Sequence, residues 1–119
     1  MRLSPIILIV CMSTATLGPA LADITGQPRI IDGDTIQIRD QRIRLFGIDA
    51  PERRQSCTID GKPWRCGKQS TFALAGLISK VWVRCVEKDR DRYRRIVAVC
   101  YLDKKNINAW MVRNGWAVD

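Results

Sequence analysis

The chain contains no histidine. That absence removes the side chain that most often moves protons near neutral pH, so a carboxylate is the natural general base here. It also removes the commonest zinc ligand. None of the five cysteines stands in a C-x-x-C pair, so the ligands of a structural zinc site are missing as well. No internal repeat or low-complexity tract is present, which excludes a solenoid or a tail-like chain. Long apolar runs are also missing except for one, Leu3 to Leu17, and Pro5, Ser13 and Thr14 interrupt it. With Arg2 before it and Ala20-Leu21-Ala22 after it, this run reads as a signal peptide over residues 1–22, cleaved before Asp23, rather than a retained anchor. Val10 before Cys11, in place of a small residue, argues against a lipoprotein. The expectation is an exported protein, periplasmic or secreted, with no stable membrane association after cleavage.

Acidic residues are in short supply. Lys and Arg number 20 against 12 Asp and Glu, a formal charge of +8 that falls by one when Arg2 is lost. A small basic domain suits a polyanion, nucleic acid or an anionic surface, although a solvated basic face gives the same composition. The mature segment, residues 23–119, holds 97 residues and is sized for one domain with a modest core.

What is present begins with cysteine. Cys57, Cys66, Cys85 and Cys100 survive processing, and an even count in a small exported domain reads as a disulfide framework. Four cysteines allow three pairings. Local placement favours one of them, Cys57–Cys66 together with Cys85–Cys100. Arg53 to Trp64 is a turn-rich excursion with Cys57 and Cys66 near its ends, and Cys85 and Cys100 are equidistant from a turn centred between Arg92 and Tyr93.

Patterning predicts an α+β domain. Ile24 to Ile31 reads as a first strand, followed by a hairpin whose turn is centred on Asp40-Gln41. That register sets Ile38 opposite Ile43, Ile36 opposite Leu45 and Asp34 opposite Gly47. Apolar residues at helical spacing predict a helix over Lys68 to Ile78, with Thr71, Leu74, Ala75 and Ile78 on one face and Phe72 and Leu77 flanking it. Val81 to Val86 and Ile96 to Leu102 read as strands joined by a charged loop. Asn106 to Asn114 reads as a short helix stopped by Gly115.

The chemistry gathers around the hairpin. Its register carries Asp34, Asp49 and Glu52 to one open end, with Arg44 on the adjoining strand. Carboxylates crowded beside an arginine call for a cation or an anionic substrate to balance them. Asp34 and Asp49 offer hard oxygens that suit Ca2+. Glu52 is the candidate base, with Pro51 before it to fix its position. Arg44 and Arg95 are candidate phosphate clamps, because a guanidinium presents a charged planar fork that matches phosphate oxygens. Tyr93 could stack on a base or sugar, with Arg92 beside it. Each has a plain structural reading too: turn, strand-end cap, surface ion pair, basic loop.

Asp32-Gly33-Asp34-Thr35, then Arg44-Leu45-Phe46-Gly47-Ile48-Asp49-Ala50-Pro51-Glu52, then Asp91-Arg92-Tyr93-Arg94-Arg95 together resemble the signature of the staphylococcal nuclease (thermonuclease-like) family, over about Ile24 to Val118. The resemblance implies a five-stranded OB-like barrel with two helices. It implies Ca2+ held by Asp34, Asp49 and the carbonyl of Ala50, and phosphate binding by Arg44 and Arg95. Glu52 would orient or deprotonate the water, and the products would carry 3′-phosphates. Relatives usually have Gly where this chain has Arg94; if that position needs a positive φ, arginine incurs strain on the order of 1 kcal/mol. Relatives also continue into a tyrosine-bearing stretch and a further helix, so this sequence is either a fragment or a domain that manages without them.

The function expected is an exported, Ca2+-dependent, monomeric endonuclease acting on DNA and RNA with little sequence preference. The alternative is a non-catalytic nucleic-acid-binding module of the same fold, which would gain nothing from three carboxylates that repel phosphate. A disulfide-stapled structural protein would explain the cysteines and the charge but not this site.

Overall fold

The computed structural model describes residues 2–14 and 23–119. The cleavage segment Ala20-Leu21-Ala22 lies outside the described residues. Among those described, no helix is long and apolar enough to cross a membrane.

The first predicted strand is two strands, β1 (Asp23–Gly26) and β2 (Arg29–Asp32). Pro28 lies at the break, where a residue without an N–H cannot carry a ladder through. The hairpin follows as β3 (Thr35–Ile38) and β4 (Gln41–Leu45). Its register differs from the expected one by two residues: Ile36 pairs with Ile43 and Thr35 with Arg44. The turn is Arg39-Asp40, and Arg39 takes φ +55° to make it. A slip of two preserves the alternation of faces, so Ile36, Ile38, Ile43 and Leu45 still point into the core. The consequence falls at the open end of the hairpin, where Leu45, and not Gly47, lies opposite Asp34 and donates its N–H to the Asp34 carbonyl at 2.8 Å, with Arg44 opposite Thr35.

The excursion after Glu52 is itself ordered as a small hairpin, β5 (Cys57–Ile59) and β6 (Lys62–Trp64). Helix α1 (Cys66–Ile78) begins two residues before the expected start. Its buried stripe is Gly67, Ser70, Thr71, Leu74 and Ile78; Phe72 faces outward, with the Lys68 ammonium over its ring. Strand β7 (Val83–Arg90) runs past the predicted end at Val86, because Glu87 to Arg90 continue pairing with β8 (Ile96–Leu102) around a bulge. Short β9 (Lys105–Asn106) pairs with β8 and leads into α2 (Ile107–Arg113), where the Asn106 side chain caps the helix by accepting from the Ala109 N–H at 3.0 Å.

The main sheet runs β1-β7-β8-β4-β3-β2, antiparallel except for the β4–β8 pair, with β9 added to β8. It is a curled, open sheet of OB-like α+β type, closed over by α1 and α2. Ile36, Ile43, Leu74, Ile78, Ala98, Cys100 and Ile107 are fully excluded from solvent within one core. Both expected disulfides are present. Cys85 faces Cys100 in register with Cα atoms 4.0 Å apart, and Cys57 joins Cys66 across 5.6 Å.

Asn108 ties the parallel pair to α2. Its side-chain amide donates to the Phe46 and Ala98 carbonyls at 2.9 and 3.1 Å and accepts from the Cys100 N–H at 3.1 Å. This buried amide satisfies main-chain groups where β4 ends and the site begins.

Candidate active site

Asp34 is the fixed point of the site. It is buried at the mouth of the β2–β3 turn, and three neighbours hold its carboxylate. The Thr35 hydroxyl donates to Oδ1 at 2.9 Å, the Ala50 N–H donates to Oδ2 at 2.8 Å, and Arg44 Nη1 lies 3.0 Å from Oδ2. The other guanidinium nitrogen, Nη2, reaches Asp49 Oδ1 at 3.3 Å. Arg44 therefore bridges the two aspartates that the sequence singled out.

The two halves of that bridge are unequal. The side chains of Arg44 and Asp34 are 22% and 9% exposed, whereas that of Asp49 is 77% exposed. An exposed pair is worth about 0–1 kcal/mol, but stripping the partner from a buried charge costs about 3–5 kcal/mol. Asp34 thus anchors Arg44, while the Asp49 carboxylate is held loosely and can change partners. The Asp49 backbone is not loose. It exchanges hydrogen bonds with Val118, N–H to O at 2.7 Å and back at 2.9 Å.

Glu52 is exposed, and among the described residues it does not complete a group of three carboxylates with Asp34 and Asp49. It borders a cavity with Arg29, Asp32, Arg42, Arg53 and Arg54. Its backbone is closely held: its carbonyl accepts from the Gln55 N–H at 2.8 Å, and Asp32 Oδ1 accepts from the Arg53 N–H at 2.8 Å. Helix α1 forms the floor beneath this loop. A Cβ at Gly67 would lie 2.7 Å from the Glu52 carbonyl carbon and nearer still to its oxygen, and one at Gly33 would lie 2.9 Å from Ala50 Cβ and strike Ser70 Oγ. Two glycines therefore let the turn before Asp34 and the loop carrying Glu52 settle onto one helix face. Ser70 Oγ also donates to the Trp116 carbonyl at 2.8 Å, bringing the C-terminal segment to the same platform.

The third motif makes a cluster of its own between β7 and β8. Asp91 accepts from the backbone N–H groups of Tyr93 and Arg95, each at 3.0 Å, and from Arg95 Nε at 2.7 Å. Desolvation pushes the Asp91 carboxyl up, but the hydrogen bonds and charge of Arg95, with the Tyr93 N–H, outweigh it and hold the group below its ordinary value. Arg94 adopts φ +63°, the left-handed conformation that a glycine would take freely. Arg92 and Arg95 lie 5.0 and 5.7 Å from the centre of the exposed Tyr93 ring. Through the β4–β8 pairing of Ile43 with Ile96, Arg95 falls on the same outward face as Arg44, although its guanidinium is held by Asp91. Direct contacts thus gather Asp34, Asp49, Arg44 and Ala50, while Glu52 shares its cavity with Asp32 and four arginines, and Tyr93 and Arg95 gather on Asp91.

Sequence reasoning missed Thr35, Gln55, Gly67 and Ser70, and gave Asp32 only a turn. The Asp-Gly-Asp-Thr run held the signal for Thr35; nothing local marks Gly67 or Ser70 as partners of residues 33 to 52.

The donor chemistry accepts a hard cation. Both aspartates offer oxygen, and Thr35 and the main chain at Ala50 add no nitrogen or sulfur ligand. Only two carboxylates converge, so among the described residues no group of three or more acidic or thiol side chains forms. Ala50 contributes its N–H to Asp34 here.

Residues 42–119 match the sequence profile described as "Staphylococcal nuclease homologue". The chain belongs to the staphylococcal nuclease family. Within the family it is 41% identical to the succinoglycan biosynthesis protein ExoI of Rhizobium meliloti (strain 1021), over 90% of this chain and 64% of that one. It is 37% identical to a micrococcal nuclease of Shigella flexneri (83% and 60%) and 34% identical to a thermonuclease of Staphylococcus hyicus (75% and 54%). The chain spans about three-fifths of the length of the curated relatives it matches.

Proposed function

We propose that this chain is an exported, Ca2+-dependent endonuclease that hydrolyses phosphodiester bonds in DNA and RNA with little sequence preference. The observation that carries the reading is the Arg44 bridge, a fork-shaped cation held by buried Asp34 and only lightly engaged by exposed Asp49. Such a group can turn one edge to a phosphate while Asp34 keeps it oriented. Nuclease names among relatives of this family support the same chemistry. Two disulfides suit an oxidising compartment and so support export.

In this mechanism Arg44 binds the phosphoryl oxygens and stabilises the charge that develops on them. Glu52, exposed beside the basic cavity, accepts the proton of the attacking water. Tyr93 and Arg92 contact the base or backbone from the β7–β8 turn, and Arg95 joins Arg44 once released from Asp91. Asp34, Asp49 and the main chain at Ala50 would hold calcium, which when bound polarises the phosphate as a Lewis acid.

The test is oxidised protein incubated with plasmid DNA and with RNA, in Ca2+ or in a calcium chelator. Cleavage of both substrates should disappear in chelator and return with added Ca2+. Full activity in chelator would remove the metal from the reading; binding without cleavage in Ca2+ would leave the non-catalytic module.

A further inference from the structure

Most arginines on this surface with a carboxylate in reach are paired: Arg44 with Asp34 and Asp49, Arg84 with Asp23, Arg90 with Glu87, Arg95 with Asp91. One group is different. Arg53, Arg54, Arg65 and Lys68 line a concavity of about 470 Å3, together with Gln55 and Ser56 and no acidic residue. Among the described residues, none of these four cations is in an ion pair. Asp32 is engaged by the Arg53 backbone N–H.

The gathering is built by the fold. Residues 53–56 and 65–68 are separated in sequence by the β5–β6 hairpin. The Cys57–Cys66 disulfide joins the two segments, and the Gly67 N–H donates to the Gln55 carbonyl at 3.1 Å. Holding unpaired like charges together is unfavourable unless an anion shares the space. The basin also continues into the site, because Arg53 and Arg54 line both this concavity and the cavity that Glu52 borders.

We propose that the basin is a second phosphate subsite, which takes a backbone phosphate of the same polynucleotide strand that lies at Arg44. It rests on the nuclease reading and specifies the substrate further. A strand seated in the basin gains phosphate contacts that a dinucleotide cannot make, so the protein discriminates by polymer length. Its contacts are to phosphate and carry no base information, in keeping with low sequence preference.

The test replaces the two exposed basin cations that do not line the Glu52 cavity, Arg65→Gln and Lys68→Gln, in one protein. Cleavage in Ca2+ is compared on a 20-nucleotide single strand and on a dinucleotide. A control protein carries Lys80→Gln and Lys104→Gln, the same loss of charge at residues that line neither cavity. The basin variant should lose about tenfold in kcat/KM on the long strand and change less than twofold on the dinucleotide. Fluorescence anisotropy with the labelled 20-mer, in chelator, should show the slope of log affinity against log salt flattening by about 1.4, the value for two lost phosphate contacts on single strands. The control should keep most of its long-strand activity and its slope. Equal losses on both lengths, equal losses in the control, or no loss at all would each overturn the subsite. If the wild-type protein cleaves neither substrate, the nuclease reading fails, and anisotropy alone decides the basin: weaker binding only in the basin variant supports it, and unchanged binding rejects it.

Discussion

Replacing Gly67 by alanine tests whether α1 sets the position of Glu52. An added Cβ would sit 2.7 Å from the Glu52 carbonyl carbon, against an ordinary contact distance of at least 3.4 Å, so the two backbones must part by 0.7 Å or more. The helix cannot easily give way, because Leu74 and Ile78 are fully buried beneath it. The exposed loop gives instead and takes Glu52 with it. A displacement near 1 Å in a catalytic group costs about 10²-fold in rate. Gly67→Ala should therefore lower kcat about 10²-fold while the thermal melt remains cooperative. Gly76→Ala is the matched control, the same substitution on the same helix with nothing within 4 Å of the new carbon. It should keep full activity and gain about 0.5–1 kcal/mol of stability from helix propensity. In a cycle with Glu52→Gln, the double variant should be no slower than Glu52→Gln alone, since both act through one group. Activity of Gly67→Ala within twofold of wild type would refute the reasoning. A collapsed melt would show that the helix, not the loop, had yielded.

Other substitutions probe separate parts of the molecule. Glu52→Gln should lower kcat by roughly 10²-fold or more with the fold intact, measured on oligonucleotide in Ca2+; a wild-type rate removes Glu52 from the mechanism. Asn108→Ala leaves the Phe46 and Ala98 carbonyls and the Cys100 N–H without their partner and should cost about 2–3 kcal/mol in urea unfolding; an unchanged midpoint would show that water replaces the amide. The Asp91 carboxyl is held below its ordinary value of 3.8, so the stability it lends the β7–β8 turn is complete above that value and is lost as pH falls below it, through the lowered folded value. Asp91→Asn should flatten that acid limb in urea melts taken between about pH 5 and pH 2, and an identical limb in the variant would contradict the assignment.

The fold was legible where alternation and periodicity are local. Ile36, Ile38, Ile43 and Leu45 announce a hairpin with one buried face, and Leu74 and Ile78 announce a helix. The register was not legible, because Arg39 adopts a positive φ that its side chain does not advertise. The β5–β6 hairpin did carry a signal. Asp60 and Gly61, at φ +52° and +76°, form the kind of two-residue turn that Asp-Gly favours. Pro63 obscured it, since proline is tolerated only in an edge strand such as this one. Glu87 to Arg90 looked like loop by charge alone; Glu87 is in fact buried and accepts from Arg90 Nε at 2.8 Å, which lets the strand continue.

The site was legible as a set of residue types and not as an arrangement. Three motifs named Asp34, Arg44, Asp49, Glu52 and Arg95, but their pairing depends on distances that sequence does not encode locally. Arg95 illustrates this best. Two residues after Tyr93 it reads as a free phosphate clamp, yet Asp91, four residues before it, holds its Nε at 2.7 Å and the backbone N–H groups of Tyr93 and Arg95 besides. That turn requires a positive φ at Arg94, where a glycine would cost nothing and arginine costs about 1 kcal/mol. The Asp91 hydrogen bonds offset that strain, so the interaction that holds the Arg95 guanidinium is also the one that lets this turn tolerate an arginine at its left-handed position. Arg44, by contrast, is anchored by an aspartate that belongs to the site itself. On the proposed nuclease reading, the charge in place for phosphate is therefore on β4, and the one on the β7–β8 turn has to be released from Asp91 before it can take part.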